Sequence, residues 1–408
     1  MKRVVVTGMA GLSPIGLDWP TVSSNLKALK TGVRYMDDWN VYEGLNTRLG
    51  APVADFEKPA HYSRKSTRSM GRIALLATRA TELALDDADL LNDESIKDGR
   101  MGVSYGSSSG SPLAIAEFAK MLTHHTTDGL NANSYIKMMG HTAPVNIGVF
   151  FGLKGRIYTT SSACTSGSQG IGYAYEAISF GRQQMMVAGG AEELSPTQAA
   201  VFDTLYATST RNDQPDKTPC PFDLNRDGLV IGEGAGTLIL EELESAQARG
   251  ANIHAEIVGF GCNTDGTHVT QPQFATMQAA MQAALDDAGL SPEAIGYISA
   301  HGTATARGDI AESTATYNIF GKQTPISALK SFTGHTLGAC GALEAWTAIQ
   351  MMNEGWVHAT ANLQSVDPDC ADLDYVQAEP RNIDTEYVMS NNFAFGGINT
   401  SLIFKRWS

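Results

Sequence analysis

Cys164 lies at the centre of TTSSACTSGSQGIGYAYEAI, residues 159 to 178, where a strand-like run of small residues turns directly into a helical period. The pattern predicts a sharp elbow with the thiol at a helix N-terminus. There the first backbone N–H groups lack intrahelical partners and the dipole favours negative charge, so the thiol is expected to ionise readily. Most cysteines are small buried hydrophobes, which is the expectation for Cys220, Cys262, Cys340 and Cys370. Cys164 departs from it because residues 161 to 170 are nearly all Ser, Thr, Gly and Ala, which pack poorly as core but let backbone and substrate approach closely.

Two further turns carry reactive side chains: His301 in AHGTATARGD and His335 in KSFTGHTLGACGALE. Each follows a strand-like run and sits among Gly, Ala and Thr, where backbone can lie open to a ligand. A solitary histidine usually serves structure, and His61, His124, His125, His141, His254, His268 and His358 are read that way. Metal binding by the Cys/His set is disfavoured, because such sites show short paired spacings and these three are spread from 164 to 335. Nucleophilic catalysis fits better, with a covalent intermediate on the thiol and two imidazoles donating to an oxyanion or enolate. The residues alone leave acyl transfer and hydrolysis both open.

Turns of this kind at strand ends call for an alternating α/β chain. Its 408 residues suffice for two ordinary domains, or for two similar halves around one large core. With 43% hydrophobic and 18% charged residues it reads as an ordered globular protein. A formal charge of −14 argues against general nucleic-acid binding, which depends on Lys and Arg neutralising phosphates. Five cysteines without a CxxC pair make neither a disulfide framework nor a zinc site, and a reducing cytoplasm fits them. The apolar run of MKRVVVTG breaks at Gly8, so it reads as a first strand rather than a signal peptide. Nothing approaches the roughly 20 apolar residues that span a bilayer.

Along the chain, a strand over residues 3 to 7, a Gly-rich turn and a helix over 18 to 29 are predicted. A basic start (Arg64, Lys65, Arg68, Arg72) runs into a strong helical period ending near residue 87, and by itself such a run reads as a solvated helix face. MGVSYGSSSGS and MMVAGGAEE read as strands, and residues 207 to 228 as a long ordered loop. After Arg249 the order begins again. IHAEIVGFGCNTDG repeats the N-terminal strand, YISAHGTATARGD stands where MGVSYGSSSG stood, and PISALKSFTGHTLGACGALE repeats the Cys164 elbow with His335 near the nucleophile's place. The prediction is an internal duplication of roughly 200 residues, an N-terminal half over 1–250 and a C-terminal half over 251–408, with mixed sheets layered between helices.

Six blocks, SSACTSG, STRND, PFDLNRDGLVIGEGAG, AHGTATARGD, KSFTGHTLGACGALE and SNNFAFGGIN, resemble in order and spacing those of the elongating β-ketoacyl-acyl carrier protein synthases, condensing enzymes of the thiolase superfamily. The resemblance covers essentially the whole chain, and AGGAEELSPTQAAVFDTLYATST is closer to the type I branch. It implies a duplicated five-layer α-β-α-β-α thiolase-like fold with two mixed sheets, a dimer, and decarboxylative Claisen condensation without metal or organic cofactor. By the same resemblance Cys164 accepts the acyl chain, and His301 and His335 stabilise the enolate left when malonyl-carrier protein loses CO₂. The backbone N–H groups of Cys164 and Phe395 match the oxyanion hole, and Lys330 and Glu344 a supporting pair. Thr303 and Thr305 match residues beside the malonyl group, and Phe393 and Phe395 an aromatic gate. Lys65 and Arg68 match the docking positions for the acidic acyl carrier protein, which gives the basic run a use.

Particular positions depart from the family pattern. Ala394 replaces a glycine of the gate, and Ala304 and Ala306-Arg307 stand where Ser and Pro-Val are common, so Arg307 adds a charge near the entrance. Ser109 matches a position that borders the acyl pocket in relatives, and with Phe202 and Tyr206 it is expected to influence chain length. Housekeeping fatty-acid elongation and a specialised polyene or polyketide pathway use the same chemistry, the latter at times with a Cys-lacking chain-length factor in place of a second identical subunit. Two rivals remain: a non-catalytic chain-length subunit, against which the intact Cys164, His301 and His335 speak, and a cysteine hydrolase, which needs one histidine as general base.

Overall fold

The computed structural model describes the whole chain, Met1–Ser408. Its first half supplies β1 (Val4–Leu12), β2 (Met101–Gly106), β3 (Ile157–Thr159), β4 (Met185–Glu192) and β5 (Gly234–Glu242). The second supplies β6 (Ala255–Thr264), β7 (Ile295–Ser299), β8 (Pro325–Ser327), β9 (Asp374–Tyr375), β10 (Tyr387–Ala394) and β11 (Ile398–Arg406). The spatial order is β9-β8-β7-β10-β11-β6-β1-β5-β4-β2-β3. Read outward from the centre, β1-β5-β4-β2-β3 and β6-β11-β10-β7-β8 are the same arrangement, antiparallel for the first three strands and parallel thereafter.

The two sheets expected from the sequence are joined into one of eleven strands. Val4, Val5 and Val6 of β1 pair antiparallel with Ile257, Glu256 and Ala255 of β6. Each is the first strand of its half with one free edge, and buried backbone groups on such edges must find partners.

Five helices layer this sheet: α1 (Arg72–Asp87), α2 (Ser166–Ser179), α3 (Phe274–Ala288), α4 (Ala306–Phe320) and α5 (Cys340–Glu354). α1 packs on β1, β5 and β4; α3 packs on β6 and β11 with α4 beside it; α2 and α5 pack on each other and on strands of both halves. The result is α-β-α-β-α layering with α2 and α5 in the middle. Small residues permit that crossing, since a Cβ on Gly167 would lie 2.9 Å from the Gly338 carbonyl oxygen and 3.0 Å from the Ala342 nitrogen.

The first strand runs through the predicted Gly-rich turn. A Cβ at Gly8 would meet the Ala84 carbonyl of α1 at 2.2 Å, and one at Gly11 the Trp346 ring of α5 at 2.2 Å, so these glycines serve helix-on-sheet approach. The next helix is Trp19–Lys27, capped by the Asp18 carboxylate on the Thr21 N–H. The basic run also divides. Arg64–Thr67 is a separate short helix, and α1 starts only at Arg72, whose guanidinium pairs with buried Glu233 at 2.7 Å. No helix is long and apolar enough to cross a membrane.

Candidate active site

Between β3 and α2 the chain makes a tight turn, Ala163–Thr165, opened by Ala163 at φ +51°. Local hydroxyls hold it: Ser166 Oγ accepts from the Ser162 N–H at 3.0 Å and donates to the Ala163 carbonyl at 2.7 Å. Cys164 therefore precedes the first turn of α2. The second half repeats this device at Leu337–Ala339, with Leu337 at φ +45° before α5. Gly338 is thus the counterpart of Cys164, and His335 stands three residues ahead of it.

The three chemically distinctive side chains converge. Cys164 Sγ lies 3.0 Å from His335 Nε2, and the His301 and His335 rings are 5.2 Å apart, edge to face. All three are buried. Lys330 Nζ sits 3.1 Å from His301 Nδ1 and 2.5 Å from Glu344 Oε1, and Asn392 Nδ2 donates to Glu344 Oε2 at 2.6 Å. The Leu337 N–H donates to His335 Nδ1 at 3.1 Å.

These partners fix what the imidazoles can do. Burial first, and then the Lys330 charge, hold both pKa values well below the usual histidine range, so both rings are neutral. A neutral ring with a donor at Nδ1 must carry its hydrogen on Nε2. Leu337 and Lys330 are such donors, so His301 and His335 both present Nε2–H toward the site. A hydrolase base would need the opposite tautomer at Nε2. A metal ligand would too, since a ligating histidine normally gives its other N–H away, whereas here each Nδ1 accepts. The donor set therefore does not suit a metal.

The thiol differs from expectation. Burial pushes Cys164 up to about 11, against the lowering effects of Lys330 and of the Phe395 and Cys164 backbone N–H groups. The apolar packing of Phe202, Leu229, Leu337 and Cys340 around the sulfur outweighs the elbow. Alkylation of Cys164 by iodoacetamide is accordingly expected to accelerate about tenfold per pH unit from pH 7 toward 10, because only the thiolate reacts. Stopped-time mass spectrometry would read this.

These side chains form the floor of a cavity of about 540 Å³. Thr303 and Thr305, their hydroxyls 2.9 Å apart, line one wall. On the other, Phe395 packs on Phe202 with centroids 4.9 Å apart, and Phe393 lies 6.0 Å from the His301 ring. Gly396 and Gly397 follow at φ +87° and +73°, where a side chain would be strained. Ser109 is not among the lining residues, its loop being tied away by the Ser108 N–H on Glu192 at 2.9 Å. Tyr206, 90% exposed, lines the rim of the cavity. Lys65 and Arg68 are exposed, outside the cavity and free of ion pairs.

Sequence reasoning passed over four participants. Asn392 holds Glu344, and Glu312 accepts the His301 and Gly302 N–H groups at 2.7 Å each, which sets the turn that carries His301. Cys340, read as plain core, donates to the Cys164 carbonyl at 3.2 Å, and His268, read as structural, lines the cavity. The Ser390-Asn391-Asn392 run inside a strand-like stretch was the available signal for the first. Cys262 is exposed, contrary to expectation.

A buried thiol beside two imidazole donors, on duplicated α/β halves, defines a cysteine-dependent acyl-transferring class with a thiolase-like fold. The chain belongs to the β-ketoacyl synthase family. The family's N-terminal domain matches residues 1–246 and its C-terminal domain residues 254–364. A "3-oxoacyl-[acyl-carrier-protein] synthase 2" of Vibrio harveyi is 39% identical, over 99% of each chain. A β-ketoacyl synthase crystal structure from Burkholderia phymatum STM815 is 62% identical with TM-score 0.99, and the ishigamide ketosynthase/chain length factor 31% identical with TM-score 0.91, both over the full length of each chain.

Proposed function

We propose that this chain is a β-ketoacyl-acyl carrier protein synthase that elongates an acyl chain by two carbons in fatty-acid biosynthesis. The observation that carries the reading is the pair of Nε2–H donors beside the Cys164 sulfur. Cys164 attacks an acyl thioester, the backbone N–H groups of Cys164 and Phe395 bind the tetrahedral oxyanion, and the leaving carrier thiol takes the proton. Malonyl-carrier protein then enters. Its C–CO₂ bond breaks, the electron pair forms an enolate held by His301 and His335, and that carbon attacks the acyl group on Cys164. The β-ketoacyl product leaves on the carrier, and the thiolate regains a proton. Lys330, anchored by Glu344, keeps His301 a donor. Thr303 and Thr305 hold the donor arm, and Phe393, Phe395 and Phe202 exclude water from the acyl-enzyme. The halves divide at residues 250 and 251, the first bearing the nucleophile and the second the histidines.

Incubating the protein with acyl-carrier protein and malonyl-carrier protein labelled in its carboxylate tests this. Labelled CO₂ with ketoacyl product supports it, whereas free acid without ketoacyl product means hydrolysis and removes the reading.

The same chemistry serves a specialised polyene or polyketide pathway, where the partner is a chain-length factor; the likeness to the ishigamide ketosynthase favours keeping this second reading. In either case subunits associate through β3, the N-terminal half's unpaired edge of the sheet. Exposed Val149 and Ile157, and exposed Leu113, Leu122 and Tyr135 on helices packed in succession beside it, make a continuous apolar face there. The double variant Val149→Glu, Ile157→Lys is expected to convert a dimer to monomer by light scattering.

Docking of the acidic carrier falls to Lys65 and Arg68. Charge reversal of both should raise KM for carrier substrates roughly tenfold at low salt, about 1 kcal/mol or less for each charge, and the penalty should shrink as salt screens it. A cytoplasmic location accords with free cysteines and the absence of a spanning helix.

A further inference from the structure

The segment from residue 301 to 307 grades the cavity wall from floor to rim. His301 is buried, Thr303 and Thr305 are half-buried, Arg307 is exposed, and all four line the same space. The other charged lining groups are engaged. Arg226 pairs with Asp367 at 2.6 Å and with Asp309 at 3.4 Å. Asp227 accepts from Ser209 Oγ at 2.9 Å and the Thr210 N–H at 3.0 Å, Asp265 accepts from Asn399 Nδ2 at 2.8 Å, and Glu312 takes two backbone N–H groups. Arg307 has neither an ion pair nor a side-chain hydrogen bond, so one guanidinium fork stands unspent at the mouth of the cavity on a chain of charge −14.

We infer that Arg307 clamps the phosphate of the carrier protein's phosphopantetheine arm, a step that rests on the proposed condensing reading. The wall then reads the donor in chemical order: imidazoles for the thioester, hydroxyls for the neutral arm, and a planar fork for the phosphodiester. Arginine suits the last because its N–H pairs match two phosphate oxygens.

The test uses ligands that need no turnover. Free 4′-phosphopantetheine and pantetheine are compared for slowing the alkylation of Cys164 by iodoacetamide. The phosphorylated compound is expected to protect at about fivefold lower concentration, the size of one exposed charge pair, with the gap narrowing in high salt. Arg307→Ala should bring the two concentrations together, and Arg307→Lys should keep part of the difference. Equal protection by the two compounds in the natural protein, or none by either, overturns the clamp, as does a gap that survives Arg307→Ala. Turnover of malonyl-carrier protein is measured separately. Its absence removes the condensing reading, whereas a phosphate-dependent gap that persists without turnover keeps Arg307 as a phosphate subsite for another thioester.

Discussion

Cys164→Ala is expected to abolish covalent acyl loading, while His335→Ala still accepts the acyl group but releases CO₂ from malonyl-carrier protein about 10² to 10³ times more slowly, the usual cost of one oxyanion donor. Intact-protein mass spectrometry reads the first effect and labelled CO₂ the second. The split follows from the hydrogen-bond directions. The His335 Nε2–H, 3.0 Å from the sulfur, is a donor whose value appears when charge develops on the enolate oxygen. Were His335 instead the base that takes the thiol proton, its loss would stop loading as well, and the two variants would look alike. Acylated His335→Ala with an undiminished CO₂ rate would remove His335 from the mechanism. Both rings titrate well below the usual histidine range and are already neutral throughout it, so the natural enzyme's CO₂ release should stay flat from pH 6.5 to 8 rather than rise with a histidine titration.

Much of this arrangement is legible in the residues, because it is carried by local signals. The elbow around Cys164 and the turns at His301 and His335 are runs of small residues at strand ends, and the second half restates the first in the same order. What escapes a linear reading is non-local. Arg72 looks like one of four surface cations until Glu233, 161 residues away, buries its partner carboxylate against it. The joining of β1 to β6 depends on two strand edges separated by about 250 residues of chain. Gly8 and Gly11 look like turn glycines because the helix atoms they make room for belong to Ala84 and Trp346. The thiol's reluctance to ionise has the same origin, since its surroundings are drawn from the Leu229, Phe202 and Leu337 segments, and desolvation exceeds what the local elbow provides. Residue types in the site could be read in sequence; their protonation could not.

Lys330 is where stability and rate separate most sharply. Lys330→Met leaves Glu344 a buried carboxylate with Asn392 as its remaining partner, and such an uncompensated charge costs about 3 to 5 kcal/mol. The variant also takes from His301 Nδ1 its charged donor and leaves the Asn392 amide, 3.4 Å away, as the one remaining, so the ring is held less firmly as the Nε2–H tautomer, and condensation is expected to fall about 10² to 10³-fold. Adding Glu344→Leu removes the stranded charge and should restore most of the stability in urea unfolding, because a buried ion pair is replaceable by apolar groups. It should restore none of the rate. If Lys330 were only a structural cation, activity would recover along with stability in the double variant. The expected divergence, a sound fold with a silent site, follows from a lysine whose function is to point one proton of a neighbouring ring.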